Sequence, residues 1–390
     1  MRVVVCGLVA TYPLGGVAWD YLQYVIAFAR LGADVLYLED TGRWVYDPRA
    51  QTFVADAAAG ASFVRDALHV LDASLANRVA VRAADGRWYG WDGEAVARFC
   101  DRADLFLNLS GACWLRDAYR SARVLAYVDT DPGYTQGLLA SAEAPDASES
   151  ARFSARQVRA HTLFFSYGVH LGRSECQVPT VGLRWIPTRP PVVLDLWPVS
   201  PPPADGPFTT VLSWSIEPSP PVIGGRVYGG KAAAFERVME LPRRSGERLE
   251  VAIAGAAPRD RLEAAGWRVR DGHAVSATLQ TYQRYLVDST GELSVAKPVY
   301  TGAWTGWFSS RSSVYLAAGR PCILEDSGWS SWVTPGPGLQ PFRTVSEAAK
   351  ALATVRAHLR QASEHARATA EAFFDARSVC LQLLADAGLA

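Results

Sequence analysis

An excess of basic charge, paired cysteines and a membrane-length apolar run are all missing from this sequence, and each absence removes a class of function. Lys plus Arg and Asp plus Glu both number 39 in 390 residues, so no net positive field attracts a phosphate backbone and nucleic acid is not an expected partner. The six cysteines (Cys6, Cys100, Cys113, Cys176, Cys322 and Cys380) are scattered and form no C-x-x-C pair. That argues against a zinc knuckle or a disulfide scaffold and predicts reduced thiols in a cytoplasmic protein. The six histidines stand far apart and no carboxylate cluster has ligand spacing, so no metal site is expected. Residues Val3 to Trp19 carry no charge, but Tyr12-Pro13-Leu14-Gly15-Gly16 interrupts them and no A-x-A cleavage site follows. Nothing else approaches the roughly 18 to 20 apolar residues of a membrane span. The dinucleotide fingerprint G-x-G-x-x-G is absent too. Glu39 or Asp40 supplies the acid that ends the second strand, but "GLVATYPLGG" is too long and wrongly spaced for the phosphate turn, which counts against a nicotinamide or flavin enzyme.

What is present is a chain 49% hydrophobic and long enough for two cores. "RVVVCGLV", "GGVAWDYLQYVIAFARLG" and "DVLYLED" read as strand, helix and strand, the opening of a doubly wound parallel sheet. "DLFLNLS", "RVLAYVDTD" and "HTLFFSYG" continue it. Proline then crowds the segment Ile186 to Pro207, where neither a helix nor a central strand persists. Beyond it, "TTVLSW", the helical "KAAAFERVMEL", "LEVAIAG" and "RPCILED" form a second series. These boundaries predict an α/β protein with two Rossmann-like domains facing a cleft: residues 1–186, a linker at 187–207, a second domain at 208–345, and two Ala-rich helices in 346–390 placed to cross back to the first domain.

Several stretches together resemble the nucleotide-sugar glycosyltransferases of the GT-B fold. "YPLGGVAWDYLQYVIAFARLGADVLYL" is similar to their first loop and helix, with Gly15 and Gly16 in the loop and Gly32 before the second strand. "GRVYGGKAAAFERV" carries Arg226 and Lys231 at the R-x4-K spacing that such enzymes use on the donor pyrophosphate, and "SSVYLAAGRPCIL" resembles their E-A-x-A-x-G-x-P-V-V segment. The resemblance implies a first domain that holds the acceptor, with Gly15 and Gly16 on that side. It implies a second domain that holds a nucleoside-diphosphate sugar, with UDP or dTDP expected, and no metal or other cofactor. One departure is plain: the glutamates of the E-x7-E pair of retaining members are replaced by Gly306 and Val314.

The stretch "TGWFSSRSSVYLAAGRPC" supplies the physical side of the same expectation. A loop that ends at a helix N-terminus offers free amides and the positive end of the helix dipole, which suit a diphosphate. Ser309, Ser310, Ser312 and Ser313 add hydroxyls and Arg311 a charged fork. The alternative is a serine cap with Arg311 in solvent. Lys231, placed after Tyr228-Gly229-Gly230 where a helix dipole disfavours a cation, makes more sense beside a bound anion. The resemblance places "DSTGELSVAKPVYTGAWTGW" around the nucleoside and donor sugar, which implies Glu292 as the acceptor of ribose hydroxyls and Lys297 as a further phosphate ligand, with an exposed salt-bridged turn as the alternative; Asp326 at a strand end is a candidate sugar contact and Trp307 a flat face for a sugar. For the acceptor base the candidates are Asp20, Asp129, Asp131 and His170. These readings predict a glycosyltransferase. A sugar-nucleotide epimerase or phosphorylase on the same fold, and a nucleotide-binding protein without catalysis, remain as alternatives.

Overall fold

Short runs of Val, Leu, Ile and Phe bounded by glycine or acid make the strands, because only a buried parallel sheet accommodates such runs on both faces. The computed structural model describes residues 1–214 and 220–390. In the first half the strands are β1 (Arg2–Cys6), β2 (Asp34–Glu39), β3 (Val45–Asp47), β4 (Thr52–Val54), β5 (Val79–Arg82), β6 (Trp88–Gly90), β7 (Leu105–Leu109), β8 (Val124–Asp129), β9 (Leu163–Ser166) and β10 (Trp185–Pro187). In the second they are β11 (Phe208–Trp214), β12 (Val222–Ile223), β13 (Arg226–Val227), β14 (Leu249–Gly255), β15 (Arg268–Asp271), β16 (Gly291–Ser294), β17 (Cys322–Glu325) and β18 (Leu339–Phe342).

Two sheets result, ordered β10-β9-β8-β7-β1-β2-β5-β6 and β15-β14-β11-β16-β17-β18. Every neighbouring pair is parallel except β5 with β6. Counted within each sheet, the first runs 4-3-2-1-5-6-7-8 and the second 3-2-1-4-5-6, so each has a topological switch point beside its first strand, β1 against β7 and β11 against β16. Ligands of open α/β sheets bind outside the carboxyl ends at such points. Strands β3–β4 and β12–β13 are separate two-stranded hairpins.

Helix Gly15–Arg30 explains why its sequence is apolar nearly all round. It is covered by its own sheet, by helix Leu279–Val287 of the second lobe and by helix Ala376–Asp386. Three helices, not the two expected, close the chain: Val345–Ala357, Leu359–Phe373 and Ala376–Asp386. The first two part at His358, and the third begins at Asp375, whose carboxylate accepts from the Ser378 amide. Ala376 N–H also donates to Val192 O at 2.9 Å, and helix Ala376–Asp386 packs against helix Gly15–Arg30. The helix expected over "KAAAFERVMEL" covers only Lys231–Glu236. "GELS", read as part of a binding cluster, is β16 in the middle of the second sheet. All six cysteines are unpaired thiols. Among the described residues no helix is long and apolar enough to cross a membrane.

Candidate active site

The carboxyl edges of the two sheets face each other across a cavity of about 580 Å³. Leu8 follows β1, Ser110 follows β7, Thr130 and Asp131 follow β8, and Ser213 and Ala254 come from β11 and β14. Hydrogen bonds cross between the lobes at its margins: Gly15 N–H to Ser276 O (2.6 Å), Trp19 Nε1 to Leu279 O (3.1 Å) and Trp307 Nε1 to Thr130 O (2.9 Å). Gly15 is required there because a Cβ would collide with the Thr278 carbonyl. Gly16 lies against the Tyr282 ring, which a Cβ would meet at 3.0 Å. These glycines let the lobes approach one another, and Gly16 also lines the cavity.

On the second-lobe side, helix Ser310–Ala317 begins at the cavity. Ser309 occupies its N-cap position without making a side-chain cap bond, and Ser309, Ser310 and Arg311 line the cavity. The first-turn amides have no intrahelical acceptor, as in any α-helix. Arg311 is held rather than free: Nε donates to Glu292 Oε1 (2.6 Å), Nη1 to Val211 O (2.6 Å) and Nη2 to Ser294 Oγ (2.5 Å). Burial works against its charge, but the Glu292 carboxylate more than offsets this and raises its pKa. Lys231 also lines the cavity. Among the described residues it has no hydrogen-bond or ion-pair partner, and desolvation, then Arg311 and Lys297, lower its pKa to about 7.

On the first-lobe side, Asp20 projects from helix Gly15–Arg30 with its carboxyl open to the cavity. Its side chain is exposed to that cavity, and desolvation by the protein around the cavity raises it to about 7, against the pull of Arg311 and Lys231 and with the help of Asp131. Asp131 accepts from Lys297 Nζ (2.9 Å) and from the Tyr300 hydroxyl. Burial acts to raise it, but Lys297 and these hydrogen bonds win and hold it below the usual carboxylate range. Lys297 sits 4.1 Å above the Tyr134 ring, and Trp307 stacks on Tyr300 with centroids 4.3 Å apart. Lys231, Lys297, Arg311, Asp20, Asp131, Trp307, Ser309 and Ser310 are therefore brought together.

The remaining candidates are not. Glu292 is fully buried beneath Arg311, so it is the partner of that guanidinium and not a ribose contact. Ser312 and Ser313 are buried away from the cavity, with Ser313 Oγ donating to Ser310 O at 2.7 Å. Arg226 is exposed on β13 with its guanidinium 4.8 Å over Tyr228, outside the cavity lining. Asp326 caps the turn after β17, accepting from Gly328 N–H (2.9 Å) and Ser330 Oγ (2.9 Å), and pairs with Arg343. Asp129 is a buried bracket that accepts from Thr135 Oγ1 (2.8 Å), Gln136 Nε2 (2.9 Å) and Ser166 Oγ (2.7 Å). His170 is a buried brace between the lobes, with Nδ1 3.1 Å from Trp304 O and Nε2 2.8 Å from Ser331 Oγ. Glu39 and Asp40 are structural as well: Glu39 accepts from the Ala10 amide (2.8 Å) and the Tyr37 hydroxyl (2.7 Å), while Asp40 pairs with Arg116.

Sequence reasoning missed the tyrosine wall of Tyr21, Tyr24, Tyr167, Tyr282 and Tyr300. It also missed His273, whose Nε2 lies 2.7 Å from Tyr46 OH across the lobes. The tyrosines are spread over 280 positions, and no spacing rule joins them.

The architecture has counterparts among solved structures. AviGT4, a glycosyltransferase involved in avilamycin A biosynthesis, is similar over 100% of this chain and 97% of its own, with a TM-score of 0.55 and 13% identity. HepE of Anabaena, solved in complex with UDP and glucose, is similar over 99% and 98%, with a TM-score of 0.54 and 13% identity. The chain has the GT-B fold. Sucrose-phosphate synthase from Thermosynechococcus elongatus is a further GT-B relative in structure, at a TM-score of 0.52 and 14% identity over 98% and 97%. No protein-family model and no curated protein matches the sequence. Within this GT-B chain, Gly306 adopts φ +73°, and a Cβ there would meet the His170 ring at 3.0 Å. A side chain at Gly306 would therefore meet both an unfavourable backbone conformation and the His170 ring.

Proposed function

We propose that this protein transfers a sugar from a nucleoside-diphosphate donor, UDP- or dTDP-linked, to a hydroxyl acceptor. The observation that carries the reading is the uncapped start of helix Ser310–Ala317 opening on the interlobe cavity beside Lys231, which has no partner among the described residues, with Asp20 on the opposite lobe. In this reading the diphosphate lies on the Ser310 and Arg311 amides, whose dipole and free N–H groups favour it. Lys231 and Lys297 neutralise the charge that develops on the leaving phosphate. Arg311, locked by Glu292, contributes a fixed field. Asp20, poised near neutrality, takes the proton from the acceptor hydroxyl, since a base is most effective with a pKa close to the working pH. Trp307 provides the face against which donor or acceptor rests. The structures of HepE, which include complexes with UDP and with UDP-glucose, support the choice of donor class.

Thermal-shift screening against UDP, dTDP, GDP and ADP, followed by donor turnover with and without added acceptors, tests the proposal. Stabilisation by none of the four ends it. Gly306 and Val314 at the two glutamate positions favour one competing reading, a protein that binds the nucleotide without transferring the sugar. That protein binds a nucleotide in the same screen and leaves every donor intact.

A further inference from the structure

The hairpin β12–β13 belongs to the second lobe by sequence but rests on the first. Gly224 at φ +58° and Gly225 at φ +77° form its turn, the left-handed pair that a tight two-residue hairpin loop requires. Val222 pairs with Val227 and Ile223 with Arg226. Val222, Arg226 and Val227 face solvent, whereas Pro221, Ile223 and Tyr228 are buried. Their cover comes from helix Tyr134–Ser141 of the first lobe and helix Pro298–Gly302 of the second. Ile223 and Tyr228 share a core cluster with Leu139 of the one and with Val299 and Tyr300 of the other. A Cβ on Gly133 would lie 3.4 Å from Ile223 Cδ1, and one on Gly137 would lie 3.5 Å from Pro221 Cβ and 3.8 Å from its Cα. A glycine inside a helix costs about 1 kcal/mol relative to alanine. Gly137, one turn beyond Gly133, stands where the hairpin backbone comes down on the helix.

The hairpin leads directly into the cleft. Tyr228 is followed by Gly229, Gly230 and then Lys231, the first residue of helix Lys231–Glu236, whose side chain lines the interlobe cavity. Ala234 and Phe235 fasten the later part of that helix to the second-lobe core, while its first turn comes straight off the hairpin. We infer that the hairpin is a positioning element: its seat on helix Tyr134–Ser141 of the first lobe holds Lys231 of the second lobe in the cleft, so that this cation is presented to a donor phosphate only while the lobes are docked. The charges around Lys231 explain why it needs holding. Desolvation opposes its ammonium most, Arg311 and Lys297 add repulsion, and Glu292 and Asp131 favour the charge less than these oppose it. No hydrogen-bond or ion-pair partner among the described residues anchors Nζ, so a Lys231 freed from the hairpin gains by turning to water. The use of Lys231 on a phosphate rests on the donor reading above, but the seat itself is testable without any ligand.

The chain has three lysines, Lys231, Lys297 and Lys350, so acetylation of the full chain by acetic anhydride at stepped pH, mapped by mass spectrometry, reads each one separately. In the unaltered protein Lys231 should titrate near 7. Gly137→Gln pushes a long side chain under Pro221 while replacing a helix glycine with a better helix former. It should move the Lys231 titration toward the ordinary 10.5 and leave Lys350 unchanged. Gly137→Ala, whose Cβ stands at ordinary contact distance from Pro221, should behave like the unaltered protein. Ile223→Ser unseats the hairpin from its own side and serves if Gly137→Gln does not fold. In calorimetry Gly137→Gln should weaken UDP binding about tenfold, as Lys231→Ala does, and the double variant should lie within about twofold of either single one, since both remove one interaction. Lys231 that titrates near 10.5 in the unaltered protein, or stays near 7 in both Gly137→Gln and Ile223→Ser, overturns the inference. So does an additive, about hundredfold, loss in the double variant, because the hairpin then acts by another route. If UDP fails to bind the unaltered protein, the donor reading falls, and the lysine titrations alone decide whether the hairpin holds Lys231 in the cleft.

Discussion

At the carboxyl edge of the first sheet the cleft meets Asp20 and Asp131, whereas at the same edge of the second sheet it meets Lys231, Arg311 and the start of a helix. Both sheets reverse their winding beside their first strand, so topology alone places a site at each edge without deciding its charge. That difference is made by a few side chains just beyond the strands. Within each edge a further contrast holds. Arg311 and Asp131 are tied to partners, while Lys231 has none among the described residues and Asp20 accepts no hydrogen bond or ion pair from them. The tied pair has shifts that favour the charged forms, and the other two have shifts that bring both to about 7. Ion pairing fixes a framework, and desolvation without pairing leaves groups able to exchange protons.

The sharpest way to break this contrast is at Asp20. Asp20→Asn should lower kcat by about a hundredfold or more, the range of a lost general base. In the unaltered protein kcat should rise as pH climbs through about 7 and then level, because the carboxylate is the active form. The Asn variant should lose that rise; a variant with full activity, or an unchanged profile, removes Asp20 from the chemistry. Linkage gives a second reading of the same group. Its folded pKa lies above the ordinary 3.8, so the folded state holds the proton longer. Its contribution to stability therefore declines as pH rises from about 4 to about 7. Chemical denaturation across that window should show a flatter dependence for Asp20→Asn.

Arg311→Ala should instead be a stability variant, losing about 3–5 kcal/mol because Glu292 is left buried without its partner. Arg311→Ala with Glu292→Gln should recover part of that loss in urea unfolding. If the single variant folds as well as the unaltered protein, the guanidinium is not the strut described above. Lys231→Ala should leave the melting temperature nearly unchanged and weaken UDP binding about tenfold, near 1.4 kcal/mol. In the unaltered protein, UDP binding at pH 8 should take up protons, because a phosphate raises the depressed lysine pKa; calorimetry in buffers of different ionisation enthalpy measures this. The smallest effect belongs to Ser310→Ala, within about twofold in UDP affinity, since the backbone amide and not the hydroxyl is the proposed ligand.

Much of the fold is legible in the sequence because β1, β2, β7, β8, β9, β11, β14 and β17 are apolar runs ended by turn-forming or acidic residues. Strands β5, β15, β16 and β18 escape notice: "VAVR", "RVRD", "GELS" and "LQPF" are four residues each, and their identity as strands comes from neighbours far away in sequence. The site divides in the same way. Lys231, Lys297, Asp20 and the Ser309–Ser310 tip are marked by local context, a cation or serine at a helix start or an acid on an apolar helix. The pairing of Arg311 with Glu292 bridges a strand and a helix 19 positions apart, so it depends on packing that no local pattern encodes. For the same reason Asp129 and Asp131, two positions apart in "DTD", share a motif but not a role. One points back under the strand end and the other forward into the cleft.

Helix Ala376–Asp386 carries a consequence for how the molecule is made. Cys380, Leu383 and Leu384 belong to the same core cluster as Tyr24, Val25 and Phe28. During synthesis on the ribosome, the part translated first must wait, with its longest helix uncovered, for a segment translated hundreds of residues later. The earliest-made lobe is thus the last to be sealed, and damage near the far end of the chain should be felt first at its beginning.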